Sequence, residues 1–258
     1  MQIYGRTQPL SHYPILEGLG VLKRLGFDGV ELCLENPDLS PELLTPELVA
    51  QVAGRLRELS FASYSIGYHK DYIYDDSMME ATRRAIVTTP TFGTRILVFG
   101  GTPTRAADGE WERMIERTRE LVALAEEHDV ILAQEFEPGF IVGSTADLLR
   151  MFEAIPSDHL AANLDLGHAF LCDPDPLASI RTLGPKIVHC HIENMARGVH
   201  NHRLPHDGDM DLRAYLRALA EIGFTGGMAL DLYAHDYEAV APSAIAYLRD
   251  LIDALKLG

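Results

Sequence analysis

Acidic and histidine side chains close four apolar runs in the second half of the chain. The runs are 130–137 (VILAQEFE), 160–166 (LAANLDL), 187–193 (IVHCHIE) and 227–233 (GMALDLY), and their polar groups are Glu135, Glu137, Asp165, His189, His191, Glu193 and Asp231, with His168 just beyond the second run. Carboxylate oxygens and imidazole nitrogens bind divalent cations, and the same groups act as general acids and bases. The pattern therefore predicts a metal site, an acid–base site, or both.

Short β-rich runs alternate with longer amphipathic runs along the whole sequence. Strands are predicted at 2–5, 29–34, 61–67, 95–101, 130–137, 160–166, 187–193 and 227–233, and the helices between them include 110–128, 211–222 and 242–256. Pro242 is placed at the start of the last helix, where proline is favoured. Eight such alternations predict one α/β domain over residues 1–258, folded as a (βα)8 barrel.

A (βα)8 barrel gives the polar strand ends a common location. Enzymes with this fold carry their sites at the carboxyl ends of the strands, and side chains two apart on a strand share a face. Glu135 and Glu137 would thus point together, as would His189 and His191. A single acid at a strand end is more often a solvated residue or a helix cap. Charged groups from four neighbouring strands, however, are costly inside a barrel unless a cation binds them, so the combination favours a divalent-metal site.

The composition is that of an acidic globular protein. The 258 residues are 47% hydrophobic and 23% charged, and the formal net charge is −16. Such a charge repels a phosphate backbone, so nucleic acid is not expected as a partner and a small ligand held with a cation is favoured. Because no apolar run reaches about 18 residues and the start lacks the pattern of a signal peptide, neither a membrane partner nor secretion is expected, and a cytoplasmic location is predicted. The sequence leaves the oligomeric state open, a homo-oligomer included.

Five sequence blocks resemble the xylose-isomerase-like TIM barrels, a superfamily of sugar-phosphate isomerases and epimerases that is related to the apurinic endonucleases. The blocks are ILAQEFEPG (131–139), NLDLGHAF (163–170), IVHCHIEN (187–194), HNHRLPHDGDMDL (200–212) and LRALAEIGFTGGMALDLY (216–233), and the resemblance covers nearly the whole chain. It implies a single-domain (βα)8 TIM barrel, a divalent metal cofactor (Mn, Zn or Mg), and proton transfer beside a metal-polarised carbonyl. The implied partner is a small polyol, keto-sugar or sugar phosphate.

In the sugar epimerases of this superfamily, four strand-end residues bind one metal ion. The matching positions are Glu135, Asp165, His191 and Asp231, the last of which is a glutamate in those epimerases. The resemblance also implies catalytic roles for Glu135, Asp231 and His168. Because aspartate is one methylene shorter than glutamate, we expect Asp231 to act chiefly as a ligand, which leaves one main proton carrier.

Further polar residues are predicted to contact the substrate. They are His168, Glu137, Arg197 and His202. Glu137 and His168 are also alternatives to Glu135 as the proton carrier. His200-x-His202 lies where the endonuclease branch has an Asp-x-His pair that binds a further zinc, so a second metal ion and a metal-free polar loop are both open.

Three functions are compatible with this barrel. The first is a metal-dependent sugar or sugar-phosphate isomerase or epimerase. The second is a metal-dependent lyase, such as a polyol dehydratase, or a phosphoesterase with extra zinc. The third is a barrel that binds a ligand without turnover. Metal stoichiometry separates them, because two or three zinc ions would favour hydrolysis and none would favour simple binding.

Overall fold

Eight parallel strands close into a barrel. The structure is a computed structural model that describes residues 1–257. The barrel strands are β1 (Gln2–Arg6), β2 (Gly29–Cys33), β3 (Ala62–His69), β4 (Ile96–Gly100), β5 (Ile131–Gln134), β6 (Leu160–Asp165), β7 (Ile187–Ile192) and β10 (Gly227–Leu230), and their order around the barrel is β1-β10-β7-β6-β5-β4-β3-β2. An antiparallel hairpin of β8 (Asn194–Ala196) and β9 (Val199–Arg203) follows β7. The predicted (βα)8 fold is therefore confirmed.

Helices surround the barrel and bury their apolar faces against it. In the described part of the chain they are α1 (Ile15–Leu25), α2 (Pro46–Glu58), α3 (Asp76–Thr88), α4 (Glu110–Glu127), α5 (Thr145–Ala154), α6 (Leu166–Cys172), α7 (Pro176–Leu183), α8 (Leu212–Glu221) and α9 (Tyr237–Leu255). Helices α4 and α8 agree with the predicted spans 110–128 and 211–222 to within one residue at each end. No helix among residues 1–257 combines the length and the apolar character that crossing a bilayer would need.

The strands that lead to the predicted site end earlier than the sequence indicates. β5 stops at Gln134 and β10 at Leu230, so Glu135 and Asp231 lie just beyond the paired part of the barrel. The apolar run continues past β5 because Phe136 is fully buried although it no longer belongs to the strand. Buried apolar residues continue past the hydrogen-bonded part of a strand. Strands predicted from the hydrophobic pattern are therefore longer than the strands in the structure.

Aromatic rings fill the amino-terminal end of the barrel. Tyr4 and Tyr64 stack there with their ring centroids 4.7 Å apart, and His189 lies above Tyr64 at 5.6 Å. Gly227 makes room for this packing, since a Cβ at that position would lie 1.8 Å from Tyr4 Cε2. The inward polar side chains are therefore confined to the middle and the carboxyl end of the barrel.

Pro242 lies inside α9 and does not begin it, so that prediction is wrong. The helix begins at Tyr237, and the Asp236 carboxylate caps it by accepting a hydrogen bond from the Ala239 N–H at 3.2 Å. The Tyr237 hydroxyl donates to the Leu230 carbonyl at 2.8 Å and ties the first turn to β10. A capping aspartate and a buried anchor thus start the helix five residues before the proline.

Asp236→Ala should lower the free energy of unfolding by about 0.5–2 kcal/mol, because the Ala239 N–H loses its capping acceptor. Urea unfolding followed by circular dichroism measures the loss. The matched control is Asp253→Ala, which removes an exposed aspartate in the last turn of the same helix. The control should change the stability by less than about 0.5 kcal/mol, and equal losses in both variants would contradict the capping role.

Candidate active site

Four strand ends converge on the imidazole of His191 at the mouth of the barrel. Its Nδ1 atom lies 3.0 Å from Glu135 Oε2, 3.9 Å from Asp165 Oδ2 and 3.8 Å from Asp231 Oδ2. The four residues come from the ends of β5, β6, β7 and β10, and all four are buried. The structure thus brings together the four side chains predicted as metal ligands.

Three polar atoms of this group lack hydrogen-bond partners in the described chain. Asp165 Oδ2, His191 Nδ1 and Asp231 Oδ1 are buried and form no hydrogen bond with any residue between 1 and 257. Although His191 Nδ1 is close to Glu135, their contact does not have hydrogen-bond geometry. Unpartnered buried polar atoms are costly, and three carboxylates with one imidazole are a donor set that suits Mg²⁺, Mn²⁺ or Zn²⁺. The residues present therefore fit a divalent cation.

The field at this point favours positive charge. Burial, the largest single effect, lowers the pKa of His191, but the carboxylates of Glu135 and Glu31 together outweigh it and the pKa is raised to about 10. Burial alone would raise the pKa of Glu135, yet His191 and His69 hold it well below its usual range. His69 reaches in from the end of β3, with its Nε2 atom 3.3 Å from Glu135 Oε2. A cation bound here would be stabilised by the same carboxylates.

Local backbone geometry orients Asp165. This residue ends β6 and caps α6, because its Oδ1 atom accepts the His168 N–H at 2.7 Å. Behind it lies Glu193, whose Oε1 atom accepts the Gly167 N–H at 2.8 Å. Burial, followed by the negative charge of Asp165, raises the pKa of Glu193 well above its usual range, so this carboxyl is neutral. Glu193 therefore packs behind the cluster without adding to its charge.

Asn163 and His189 form a polar layer below the four side chains; His189 was among the polar residues expected at the strand ends, whereas Asn163 was not assigned to the site. Asn163 donates from its Nδ2 atom to Glu135 and accepts from His189 Nδ1 at 2.7 Å. His189 Nε2 lies 2.9 Å from the Ser65 hydroxyl. Burial lowers the pKa of His189 to about 3, so its ring is neutral. The signal for Asn163 was an amide inside the apolar run LAANLDL, which is unusual for a strand buried on both faces.

Arg6 and Glu31 complete the polar layer on the opposite side, and they too were not assigned to the metal site. Arg6 Nε donates to Glu31 Oε1 at 2.8 Å, and Arg6 Nη1 lies 2.6 Å from Asp231 Oδ2. Burial, the largest single effect, would raise the pKa of Asp231, but Arg6, His191 and His202 together outweigh it and the pKa is lowered. An acid in the middle of the predicted strand GVELCL was the available signal for Glu31.

Three histidines meet above the cluster, on the cavity side. His200 Nε2 lies 3.0 Å from His168 Nε2 and 3.3 Å from His202 Nε2. The other ring nitrogens of the two buried histidines face backbone carbonyls, at 2.9 Å from Phe136 O for His168 and 3.1 Å from Asp231 O for His202. Those contacts assign the Nδ1–H tautomer to both rings, so their Nε2 lone pairs point toward His200.

A cavity of about 290 Å³ opens above these groups. Its walls include Arg6, Gln8, Glu35, His69, Lys70, Glu135, Glu137, His168, His200, His202, Asp231 and Tyr233. Glu137 is half-buried, and its carboxylate has no hydrogen bond or ion pair with the residues that the structure describes. Burial, which is the largest effect, raises the pKa of Glu137 to about 7. The predicted substrate contacts His168, Glu137 and His202 therefore share one cavity.

Arg197 does not reach this cavity. It lies at the turn of the β8–β9 hairpin, where its guanidinium carbon is 5.0 Å from the centre of the Phe170 ring. Its backbone N–H donates to Asp209 Oδ2 at 2.7 Å. The arginine that does line the cavity is Arg6, on the first strand.

A model of the xylose isomerase-like TIM barrel family matches residues 19–251. The chain belongs to this family. Fructoselysine 3-epimerase of Escherichia coli O157:H7 is 22% identical over 263 residues, which span 93% of this chain and 94% of that protein. D-psicose 3-epimerase of Enterocloster bolteae is 25% identical over 150 residues, which span 57% of this chain and 48% of that protein. Inosose dehydratase of Lacticaseibacillus casei is 25% identical over 141 residues, which span 48% of this chain and 47% of that protein. The chain thus matches about half the length of these last two relatives, and the curated relatives are sugar epimerases and a dehydratase.

Solved structures show the same fold at low sequence identity. The probable 3-DHS dehydratase AsbF of Bacillus anthracis has a TM-score of 0.82 at 15% identity, over 96% of this chain and 99% of that chain. A D-psicose 3-epimerase crystallised in the presence of D-fructose has a TM-score of 0.83 at 15% identity, over 98% of this chain and 99% of that chain. The IOLI protein with a bound zinc atom has a TM-score of 0.80 at 20% identity, over 98% of this chain and 97% of that chain. Proteins with this fold therefore include one crystallised in the presence of D-fructose and one that holds a zinc atom.

Asn163→Leu should lower the free energy of unfolding by at least about 2 kcal/mol, because Glu135 loses a buried donor and His189 loses a buried acceptor. Urea unfolding in the presence of a chelator measures this loss without any contribution from metal ions. Asn201→Leu serves as the control, since it alters a half-buried asparagine on the hairpin. A loss at Asn163 no larger than that at Asn201 would show that the amide does not hold the polar layer together.

Proposed function

We propose that this protein is a metal-dependent isomerase or epimerase of a small keto-sugar, with one divalent cation held by Glu135, Asp165, His191 and Asp231. The observation that carries the proposal is the convergence of these four buried side chains, three of them with an unpartnered ligand atom, beneath the cavity. The epimerase and dehydratase names of the relatives support sugar or polyol chemistry.

A cation at this position would polarise a carbonyl or hydroxyl oxygen of the sugar and make the adjacent C–H bond more acidic. A side chain at the cavity wall must then carry the proton. Glu137 suits this role because its carboxylate lines the cavity and is not engaged elsewhere in the described chain. Glu135 suits it less well, since its Oε2 atom already accepts from Asn163 and lies 3.0 Å from His191.

His168 would orient the sugar. Its Nδ1–H donates to the Phe136 carbonyl, which fixes the plane of the ring. Its Nε2 atom, which lies 3.0 Å from His200 Nε2, is on the cavity side and is the ring atom available to hydrogen-bond to a sugar hydroxyl. The ring is buried in α6, so it holds this orientation without reorganising when a sugar binds.

Asp231 is poorly placed to act as a second base. Its Oδ2 atom lies 2.6 Å from Arg6 Nη1, and the ion pair lowers its basicity. A single proton carrier returns the proton to the face from which it was removed. Aldose–ketose isomerisation needs only that, whereas an epimerisation with two bases on opposite faces needs a second free carboxylate.

The cavity favours a neutral sugar over a sugar phosphate. Its walls carry the carboxylates of Glu35, Glu135, Glu137 and Asp231. Against these stand Arg6, which is already paired with two carboxylates, and Lys70. Because the walls carry four carboxylates and Arg6 is already paired, an uncharged keto-sugar or polyol fits them better than a phosphate ester.

The three-histidine cluster favours a second candidate function. The imidazole nitrogens of His168, His200 and His202 lie close enough together to share one ion. A second cation at that point would place two metal ions in one cavity, as in metal-dependent phosphoesterases, and a metal-dependent lyase is the one-cation alternative. Metal analysis by mass spectrometry distinguishes the isomerase from the phosphoesterase, because one cation per chain is expected for the isomerase and two or more for the phosphoesterase.

His191→Ala and Glu135→Ala should each abolish stoichiometric binding of Mn²⁺, because each removes a ligand from the centre of the cluster. Isothermal titration measures the stoichiometry, and circular dichroism checks that both variants are folded. His206→Ala changes an exposed histidine and should bind as the wild type does. Unchanged metal content in both site variants would show that the cation lies elsewhere.

Cation-loaded wild type should exchange the proton next to the carbonyl of at least one ketose in heavy water, which proton NMR detects. Glu137→Gln should lower the exchange rate at least about 100-fold while keeping cation affinity, because the proton carrier is lost. Glu153→Gln, which alters an exposed glutamate, should leave the rate unchanged. Exchange at the wild-type rate in Glu137→Gln would show that another group carries the proton. No exchange with any ketose would refute the proposed isomerase activity.

A further inference from the structure

We propose that Arg6 and Glu31 are positioning residues that aim two of the four ligands, Asp231 and His191, at the cation; this inference rests on the cation site of the proposed function. Arg6 ends β1 and Glu31 lies directly opposite it in the register of β2. Both side chains are buried, and neither is one of the four ligands. We call the connected set Asp231–Arg6–Glu31–His191 the brace.

Four groups of the brace are linked end to end. Asp231 Oδ2 lies 2.6 Å from Arg6 Nη1, and Arg6 Nε donates to Glu31 Oε1 at 2.8 Å. Glu31 Oε2 lies 3.2 Å from His191 Nε2. The links run from β10 through β1 and β2 and then across the barrel to β7, so strands that do not all touch are tied by side chains.

Each ligand in the brace has one engaged atom and one free atom. In Asp231 the atom facing Arg6 is Oδ2, and Oδ1 has no hydrogen-bond partner within the described chain. In His191 the atom facing Glu31 is Nε2, and Nδ1 has no hydrogen-bond partner there either. A carboxylate that accepts from the far nitrogen of a ligating histidine fixes the ring tautomer and its orientation. The brace therefore leaves one unpartnered atom on each of the two ligands, while Asp231 Oδ2 remains 3.8 Å from His191 Nδ1.

The barrel makes dedicated room for Glu31. Gly67 on β3 lies beside it, and a Cβ there would come within 2.9 Å of Glu31 Oε1. The Ser65 hydroxyl donates to Glu31 Oε2 at 3.1 Å from the same strand. Because both oxygens of Glu31 are engaged and its side chain is fully enclosed, its carboxylate cannot turn away from His191.

If Arg6 acted only through its positive charge, it would weaken cation binding, whereas the brace predicts that Arg6 strengthens it. A guanidinium next to a divalent cation repels it, so removing the charge would strengthen binding if Arg6 acted only through its field. Arginine also provides a rigid fork that holds two carboxylates at once, and lysine provides a single point charge. Arg6→Lys keeps the charge and removes the fork, and it therefore separates orientation from charge.

The test measures Mn²⁺ affinity by isothermal titration and the visible spectrum of bound Co²⁺ in Arg6→Lys. We expect the dissociation constant to rise at least tenfold, within the 10- to 100-fold range found when residues that orient metal ligands are changed, and we expect the Co²⁺ bands to shift because the ligands have moved. Arg181→Lys alters an exposed arginine paired with Glu221 at 2.9 Å and should stay within twofold of the wild type. A folded Arg6→Lys protein with wild-type affinity and a wild-type Co²⁺ spectrum would overturn the brace.

Glu31→Gln supplies the test if Arg6→Lys does not fold. Glutamine keeps the shape and still accepts from His191, but it no longer holds Arg6 by charge. A shifted Co²⁺ spectrum supports the brace, whereas weaker binding with an unchanged spectrum reports a charge effect only and counts against it. If the wild-type protein binds neither Mn²⁺ nor Co²⁺, the proposed function itself fails. If the wild type binds the metal and Arg6→Lys binds it equally well, only the brace fails.

Discussion

Four carboxylates, Glu31, Glu135, Asp165 and Asp231, are buried within one mouth of the barrel, where their mutual repulsion has to be offset by positive charge. Two like charges about 4 Å apart repel by about 4 kcal/mol at an effective dielectric constant of 20. Arg6 offsets part of this repulsion by touching two of the four groups. The remaining charge explains why His191 holds a proton so tightly and why the same place suits a divalent cation.

The barrel meets this constraint by dividing its interior along the axis. The stacked rings of Tyr4 and Tyr64 fill the amino-terminal end, on the side away from the cavity. Neutral His189 lies between the two halves, with one face on Tyr64 and its nitrogens toward Asn163 and Ser65. Three layers thus follow one another along the barrel axis: the tyrosine rings, the neutral polar side chains, and the charged side chains next to the cavity.

The fold and the polar strand ends were predictable because both follow from local pattern, and the resemblance to the family then implied which four of the polar residues are the candidate ligands. Alternating runs define the strands, and the carboxyl ends of parallel strands meet in one place, so Asp165 and His191 could be placed together from sequence alone. The pairing of Arg6 with Asp231 was not predictable, since it depends on the closure of β1 against β10 and on the rotamers of both side chains.

The hairpin was also beyond sequence reasoning. Its strands are short, and its sequence NMARGVHNHR has no regular alternation of apolar and polar residues. The position of His200 above His168 results from that hairpin folding over the mouth, and sequence spacing alone carries no information about it. Helix α9 shows a different limit, because a proline that often begins a helix is tolerated inside one when a stronger cap precedes it.

Closure of the barrel by β10 also sets the order in which the site can come into being. Arg6 and Asp231 are separated by 225 positions (231 minus 6), and the chain leaves the ribosome from its amino end. Arg6 and Glu31 lie in the first two strands and are synthesised long before Asp231. The complete set of ligands exists only after the last strand has docked, so a cation that needs all four stabilises the finished barrel and not its partly assembled precursors.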